Sequence, residues 1–407
     1  MQRILEGVRV LDLTRVLAGP WCTQNLADLG AEVIKIERPG KGDDTRSWGP
    51  PFLKDREGHD TTDAAYYLAC NRGKKSVTLD IASTEGRALA RSLALSADVL
   101  VENFKVGDLA RHGLDYATLS SEHPRLIYCS ITGFGQDGPY RDRPGYDFMV
   151  QGLGGLMSVT GERDDLPGGG PQKVGVAVSD LFTGMYATSA ILASLLHRAN
   201  SGRGQHIDMA LLDVQVAMLA NLSSAYFVSG QAPARMGNAH QNIVPYHVFR
   251  ASDEFLIVAV GNDSQFVKFC EVIGAAEWPK DPRFATNPQR VRHRDLIVGM
   301  ISERMRSRTA REWLDRLEPS GVPCGPINNL AQVFADPQVL HRAMQVTTPH
   351  PVAGPVNLVA SPMKFSETPI PYDVAPPTLG QHTDEILGRL LGLTIEQIEG
   401  LRARGIV

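Results

Sequence analysis

The strongest constraint on the fold is a rhythm of short apolar runs separated by helical stretches in the first third of the chain. Residues 8–13 (VRVLDL), 31–37 (AEVIKIE), 76–81, 97–102 (ADVLVE) and 126–131 (LIYCSI) each have the length and make-up of a strand. A helical stretch around 22–29 follows the first, and another over 83–95 follows the third. Apolar strands alternating with helices imply parallel pairing with both sheet faces covered. The expected fold class is therefore α/β, with a Rossmann-like parallel-sheet large domain. A further apolar run at 174–178 reads as a strand that ends in Ser179-Asp180 and opens at once into a long helix including 181–196. Residues 206–228 read as a strand and then a helix.

Near residue 229 the texture changes. Residues 246–260 form a hairpin pattern with Ser252-Asp253-Glu254 at its turn, and helices follow near 263–274 and 294–307. Thr309-x-x-Glu312 and Thr394-x-x-Gln397 are capping boxes, each opening a helix. The expected division is a large domain over 1–228, a smaller α+β domain over 229–330, and a return to the large domain over 331–407. The segment 346–380 is proline-rich and extended. Residues 40–71 carry Gly, Pro, Asp and aromatics without periodicity, and a loop that long is usually functional.

Composition excludes several classes. With 41 Lys+Arg against 45 Asp+Glu, the net charge of -4 argues against a nucleic-acid partner, and 43% hydrophobic residues argue against disorder. The five cysteines, at 22, 70, 129, 270 and 324, are odd in number, widely spaced and free of any C-x-x-C. Neither a metal site nor a disulfide framework is expected, and reduced thiols in a cytoplasmic protein are the simpler reading. The N-terminus is read as lacking a signal-peptide core. The uncharged run 181–196 falls short of the ~20 residues of a membrane span, so a buried helix and no membrane are expected.

Most catalytic signatures are missing. There is no G-x-G-x-x-G after the first strand, no Walker loop, no H-E-x-x-H and no G-x-S-x-G. Ser361-x-x-Lys364 matches a bare S-x-x-K without companion motifs. Asp180 carries more information. A carboxylate at a helix start faces free N–H groups and the positive dipole end, which favours ionisation at neutral pH. Such a carboxylate can attack an activated acyl group; ordinary helix capping by Ser179 or Asp180 is the alternative. Arg38, the loop 40–46 ending in Arg46, and Arg72, Lys74 and Lys75 suit a polyphosphate, or are solvated surface charge. Asn103 and Phe104 end a strand where open α/β sheets bind ligands.

Together these segments resemble the class III CoA-transferase family over nearly the whole chain. The carriers are LEGVRVLDLTRVLAGPW (5–21), LGAEVIKIERPGKGDDTR (29–46), NRGKKSVTLD (71–80), ADVLVENF (97–104), ITGFGQDGP (131–139), GVAVSDLFTGMYA (175–187), SGRGQHIDMALLD (201–213) and LGQHTDEIL (379–387). The resemblance implies transfer of CoA from an acyl-CoA to a free carboxylic acid, with Asp180 as nucleophile and aspartyl anhydride and aspartyl-CoA thioester intermediates. It implies CoA contacts at Val16, Arg38, Leu79, Asn103, Phe104 and Arg111, and an active-site tyrosine at Tyr146. CoA is then a substrate, and no cofactor is permanently bound.

The chain departs from the formyl-CoA:oxalate branch, which has glutamine where Leu17 stands and four glycines near 235–242. A 2-methylacyl-CoA racemase is the alternative on the same fold. That branch has histidine where Tyr146 stands, and tyrosine hydroxyls, titrating near pH 10, are poor bases. GDDTRSWGPPF (42–52), IVPYHVF (243–249) and VPCGPINNLAQVFADPQVLH (322–341) most resemble succinyl-CoA:dicarboxylate transferases of the hydroxymethylglutarate or glutarate type. Succinyl-CoA is then the donor and glutarate or a related C4–C6 diacid the acceptor; citramalate, malate, itaconate and carnitine stay open. Arg46 and His240 are the expected cations for the remote carboxylate. The resemblance also implies two chains interlocked as rings in a homodimer.

Overall fold

The computed structural model describes residues 3–407. The chain divides into two compact units. The first takes residues through Leu156, Val174–Ser223 and Pro337–Val407; the second takes Met157–Lys173 and Ser224–Asp336. Residues 157–173, read above as part of the large domain, thus belong to the second unit.

The first unit holds strands β1 (Arg9–Asp12), β2 (Glu32–Glu37), β3 (Phe52–Lys54), β4 (Asp60–Ala64), β5 (Lys74–Thr78), β6 (Val99–Glu102), β7 (Ile127–Thr132) and β8 (His206–Ala210). Six of them form a sheet in the order β5-β2-β1-β6-β7-β8, and every neighbouring pair is parallel. Counted along the chain this is the 3-2-1-4-5-6 order of doubly wound dinucleotide-binding sheets. The connections leave β1 in opposite directions, so a crevice opens beyond the carboxyl ends of β1 and β6.

Alternation along the strands sends side chains to two cores. Leu11, Ile34, Leu100 and Tyr128 meet Leu93 of helix Thr84–Leu95, Ile386 and Leu387 of Thr383–Leu391, and Leu401 of Ile395–Ala403. Val10, Val33, Val99 and Ile127 meet Cys22 and Leu26 of Ala18–Asp28 and Ala187 and Ile191 of Val178–Ser201. Each such fully buried aliphatic side chain contributes roughly 1.5–3 kcal/mol. The C-terminal helices thus cover one face of a sheet begun at the N-terminus.

Three expectations are corrected. Residues 174–178 form no strand: β8 takes the place beside β7, pairing Tyr128 with His206, while Val176 is 58% exposed and the helix begins at Val178. The segment 40–71 is not irregular throughout, since it holds a short 3-10 helix (Asp44–Ser47), the antiparallel pair β3–β4 and helix Ala65–Leu68. The proline-rich tail contains an antiparallel pair, β12 (Gln345–His350) and β13 (Gly354–Val359), whose Val356 and Leu358 pack with Tyr67 and Leu68; this pair follows the second unit's strands in the chain.

The second unit carries the antiparallel sheet of β9 (Tyr246–Arg250), β10 (Phe255–Ala259) and β11 (Cys324–Pro326), in the order β11-β10-β9. Phe249, Leu256 and Val258 pack with Phe266, Phe269 and Trp313 behind it. Both capping boxes form. Among the described residues no single helix is long and apolar enough to cross a membrane, and no cluster of three or more His, Cys, Asp or Glu could hold a metal.

Candidate active site

The loops after β1, β2 and β6 meet at the crevice. Two cavities share Arg15 and Phe104 on their walls. One, of about 340 Å³, is bordered by Arg38, Leu79, Asp80, Asp108 and His112. The other, of about 200 Å³, is bordered by Val16, Asn103, Arg143, Tyr146 and Asp180. Five positions expected to contact CoA and the expected nucleophile therefore lie on two adjoining cavities.

Beneath the loop after β1 lies a buried ionic network. Asp12 accepts from the Thr14 backbone N–H (2.9 Å), the Thr23 hydroxyl (2.6 Å) and Lys74 Nζ (3.1 Å). Lys74 and Lys35 overcome the cost of burial and hold the Asp12 carboxyl at about 2. Lys35 Nζ donates to the Thr14 carbonyl (2.8 Å) and pairs with Asp43 (2.9 Å). Above this network Val16 adopts φ 72°. A β-branched residue in the left-handed region costs about 1–3 kcal/mol and persists only where its surroundings hold it.

Asn103 lies on the cavity wall, but its amide is spent on the main chain. Its oxygen accepts from Arg15 N–H (3.0 Å) and its nitrogen donates to the Arg15 carbonyl (2.8 Å). Next to it, buried Glu102 accepts from the Phe104 N–H (2.8 Å), and burial pushes its carboxyl up to about 7.

Asp180 is the third residue of helix Val178–Ser201. The helix start is held from outside. Asp147, first residue of helix Asp147–Leu153, accepts from the Ser179 N–H at 2.8 Å, and its other oxygen accepts from Gln151 Nε2 at 2.7 Å. Gln151 in turn accepts from the Val174 N–H at 2.9 Å, and the Ser179 hydroxyl donates to Gln215 at 2.6 Å. Burial first, and the Asp147 charge second, push the Asp180 carboxyl up to about 7. This corrects the expectation of a fully ionised carboxylate at neutral pH. A helix N-terminus contributes about 0.3–1 kcal/mol, whereas a rise from 3.8 to about 7 corresponds to roughly 4 kcal/mol. Burial and the like charge win. Asp147 went unnoticed in the sequence, although it adjoins Tyr146 in the PGYD segment and opens a helix.

Several expected cations are not available to a ligand. Arg46 is 3% exposed and saturated. Its guanidinium donates to both Glu37 oxygens (2.8 and 2.7 Å), Asp63 (2.5 Å), the Tyr67 hydroxyl (2.6 Å) and the Pro377 carbonyl (3.1 Å). It knits the 40–71 segment to the sheet and cannot also take a substrate carboxylate. Arg72 is bidentate on buried Asp28, Lys74 is consumed by Asp12, and Lys75 bridges Glu32 and Glu385. Arg111 faces Asp108 at 3.4 Å, is largely exposed, and borders neither cavity. His240 lies in the second unit, its ring tilted against Tyr246. Arg38 is exposed and makes no ion pair with a described residue, and Arg143 lies over the Tyr140 ring at 4.0 Å.

A cavity at the switch point of a 3-2-1-4-5-6 sheet, with a perturbed carboxyl on its wall, is a candidate active site of an α/β enzyme. Residues 5–383 match the family described as CoA-transferase family III. The chain is 51% identical over 386 residues to the succinate–glutarate CoA-transferase of Agrobacterium fabrum, covering 95% of each chain. It is 43% identical over 403 residues to the succinyl-CoA:glutarate CoA-transferase of Homo sapiens, covering 99% of this chain and 90% of that one. A crystal structure of a CAIB/BAIF family protein from Brucella suis, 49% identical, superposes with a TM-score of 0.85 over 96% of this chain and 100% of that one. The chain belongs to CoA-transferase family III. It is an enzyme, and its substrates are CoA thioesters.

Proposed function

We propose that the enzyme moves CoA from succinyl-CoA to glutarate through Asp180. The observation that carries the mechanism is the Asp180 carboxyl on the wall of the cavity beyond β1 and β6, half-buried and raised to about 7. The donor and acceptor follow the printed names of the relatives from Agrobacterium fabrum and Homo sapiens.

An Asp180 oxygen attacks the thioester carbonyl carbon, the carbon–sulfur bond breaks, and CoA leaves as thiolate. The product is a succinyl-aspartyl anhydride. The thiolate then attacks the Asp180 acyl carbon, succinate departs, and an aspartyl-CoA thioester remains. A glutarate carboxylate attacks that carbon and expels the thiolate, which attacks the glutaryl carbonyl. Glutaryl-CoA leaves and Asp180 is regenerated. Each step exchanges one acyl bond for another, so no step needs ATP. A carboxylate of raised pKa is a more basic nucleophile than an ordinary one.

In this reading Arg38, Leu79, Phe104 and Val16 contact CoA, while Asn103 shapes their loop. Tyr146, 65% exposed at the cavity mouth, faces the acyl group. With Arg46 consumed, Arg143, which borders the Asp180 cavity and lies over Tyr140, is proposed to take the remote carboxylate of a dicarboxylate.

The functional species is proposed to be an interlocked homodimer. Two features support it: the chain passes between its units four times, and the Asp180 helix exposes Phe182, Met185 and Tyr186, a face that calls for cover. Five free thiols, four of them buried, accord with a cytoplasmic location. The test is replacement of Asp180 by Asn and Ala, with glutaryl-CoA followed from succinyl-CoA and glutarate. Incubation with succinyl-CoA and hydroxylamine should yield an Asp180 hydroxamate by mass spectrometry. Undiminished turnover, or no adduct during turnover, refutes the mechanism.

A further inference from the structure

The segment between β1 and helix Ala18–Asp28 has no regular structure, yet side chains from four other segments satisfy its main chain. Thr14 C=O accepts from Lys35 on β2. Arg15 N–H and C=O both bond Asn103, beyond β6. Val16 N–H donates to Asp43 Oδ1 at 3.3 Å, and Val16 C=O accepts from the Cys70 thiol at 3.7 Å. Five consecutive backbone groups are thus matched. Among the described residues three non-glycine residues have positive φ, and Val16 alone of these is β-branched. A conformation of this kind, met on every side and bordering a ligand cavity, is held for a purpose.

Asp43 is the hub of the arrangement. It is 2% exposed. One oxygen takes Val16 N–H together with the Thr45 N–H (3.0 Å) and hydroxyl (2.8 Å), and the other pairs with Lys35. Lys35 also grips Thr14. A single carboxylate therefore bonds Val16 directly, reaches Thr14 through Lys35, and joins the loops after β1 and β2. Those loops wall both cavities: Val16 borders the one holding Asp180, and Thr14, Arg15, Lys35 and Asp43 border the other.

We propose that Asp43 is a positioning residue for acyl-CoA: it holds Val16 in the left-handed conformation so that the turn presents a preformed wall to the CoA chain on its way to Asp180. This rests on the reading of the crevice as the acyl-CoA site. Asp43 does not touch reacting atoms, so its loss falls on binding more than on chemistry.

The test combines Asp43→Asn and Val16→Gly, with the KM for succinyl-CoA, kcat, the Kd for CoA by calorimetry, and Tm. Asp43→Asn should raise the KM and the CoA Kd about tenfold and lower kcat by less than about threefold. Glycine adopts positive φ at no steric cost. In the otherwise unchanged chain, Val16→Gly should raise Tm by about 1–3 °C, where glycine at an ordinary position lowers it. That measurement reads the strain even if Asp43→Asn does not fold. The proposal falls if folded Asp43→Asn keeps its KM, or if Val16→Gly lowers Tm. If wild-type protein binds no CoA, the site reading falls and this proposal with it; if wild type binds CoA and Asp43→Asn binds it equally well, this proposal alone falls.

Discussion

Replacing Asp147 by Asn isolates one contributor to the reactivity of Asp180. The Asp180 carboxyl stands at about 7 against an ordinary 3.8, a rise of about 3. Burial is the larger cause and the Asp147 charge the smaller, so Asp147 accounts for at most about 1.5 of it, or about 2 kcal/mol. In Asp147→Asn the carboxamide oxygen can still accept from the Ser179 N–H, and the helix start keeps its cap. The new amide nitrogen would face Gln151 Nε2, now a donor to Asp147. Gln151 cannot turn its oxygen round without releasing the Val174 N–H, which costs one hydrogen bond of about 1 kcal/mol. The variant should therefore fold with a small loss of stability.

The assay is the pH dependence of kcat/KM for succinyl-CoA at saturating glutarate, which reports ionisations of the free enzyme. In the proposed mechanism only the carboxylate form of Asp180 attacks, so the rate should rise with pH up to its pKa. In wild type the acid limb should bend near pH 7. In Asp147→Asn it should move down, to no lower than about 5.5, and the plateau at pH 8 should drop because the nucleophile is less basic. An acid limb that stays in place, or moves up, would refute the electrostatic link between the two carboxyls.

Three further outcomes follow from buried charge. Asp180 binds a proton in the native state between pH 3.8 and about 7 that the unfolded chain has released, so native stability declines as pH rises through that window. Asp180→Asn should then be more stable than wild type at pH 8 by up to about 4 kcal/mol, less whatever cavity water screens, with the gain vanishing near pH 4; equal urea midpoints at both pH values would contradict this. The same sign applies to Glu102, raised from 4.5 to about 7: Glu102→Gln keeps an acceptor for the Phe104 N–H and should gain up to about 3 kcal/mol at pH 8 but little at pH 4.5 in urea titrations. Arg46→Met strands Glu37 and Asp63 in the interior and should cost about 3–5 kcal/mol in urea unfolding; a loss below about 1 kcal/mol would show that water enters the cluster.

The sheet was legible in the sequence because its strands are apolar on both faces, as in 97–102 and 126–131, and because helices separate them. The 174–178 run misled for the same reason. VGVAV has strand composition, but the edge beside β7 was claimed by His206–Ala210, whose charged and polar residues make a weaker strand signal. The start of β5 at Lys74 was hidden by its lysines, since nothing local shows that Asp12, 62 residues away, neutralises Lys74. Arg46 failed as a substrate cation for the same kind of reason. A cation in a Gly-Asp loop looks solvent-facing until the fold brings Glu37, Asp63 and Tyr67 around it. Candidate site residues near strand ends, such as Asn103 and Phe104, were visible from position alone. Asp147 and Asp43 were not, because they act through backbone N–H groups that only the tertiary structure assigns.

A 3-2-1-4-5-6 sheet ordinarily binds a dinucleotide by a glycine-rich turn after β1 whose helix N-terminus meets the pyrophosphate. Here that turn is TRVLAGP, and the residue with φ 72° is Val16 rather than glycine. Glycine would take that conformation freely and let a phosphate close on the main chain. Valine takes it where Asp43, Asn103 and Cys70 meet the main chain of the turn, and Val16 borders the Asp180 cavity. Gly19, at the start of the following helix, is needed for another reason: a Cβ there would lie 2.4 Å from Thr14. The crevice is thus bordered after its first strand by a valine turn rather than a glycine-rich one. A walled crevice suits the proposed thioester exchange, in which the CoA thiolate leaves Asp180 and attacks again without being lost to water.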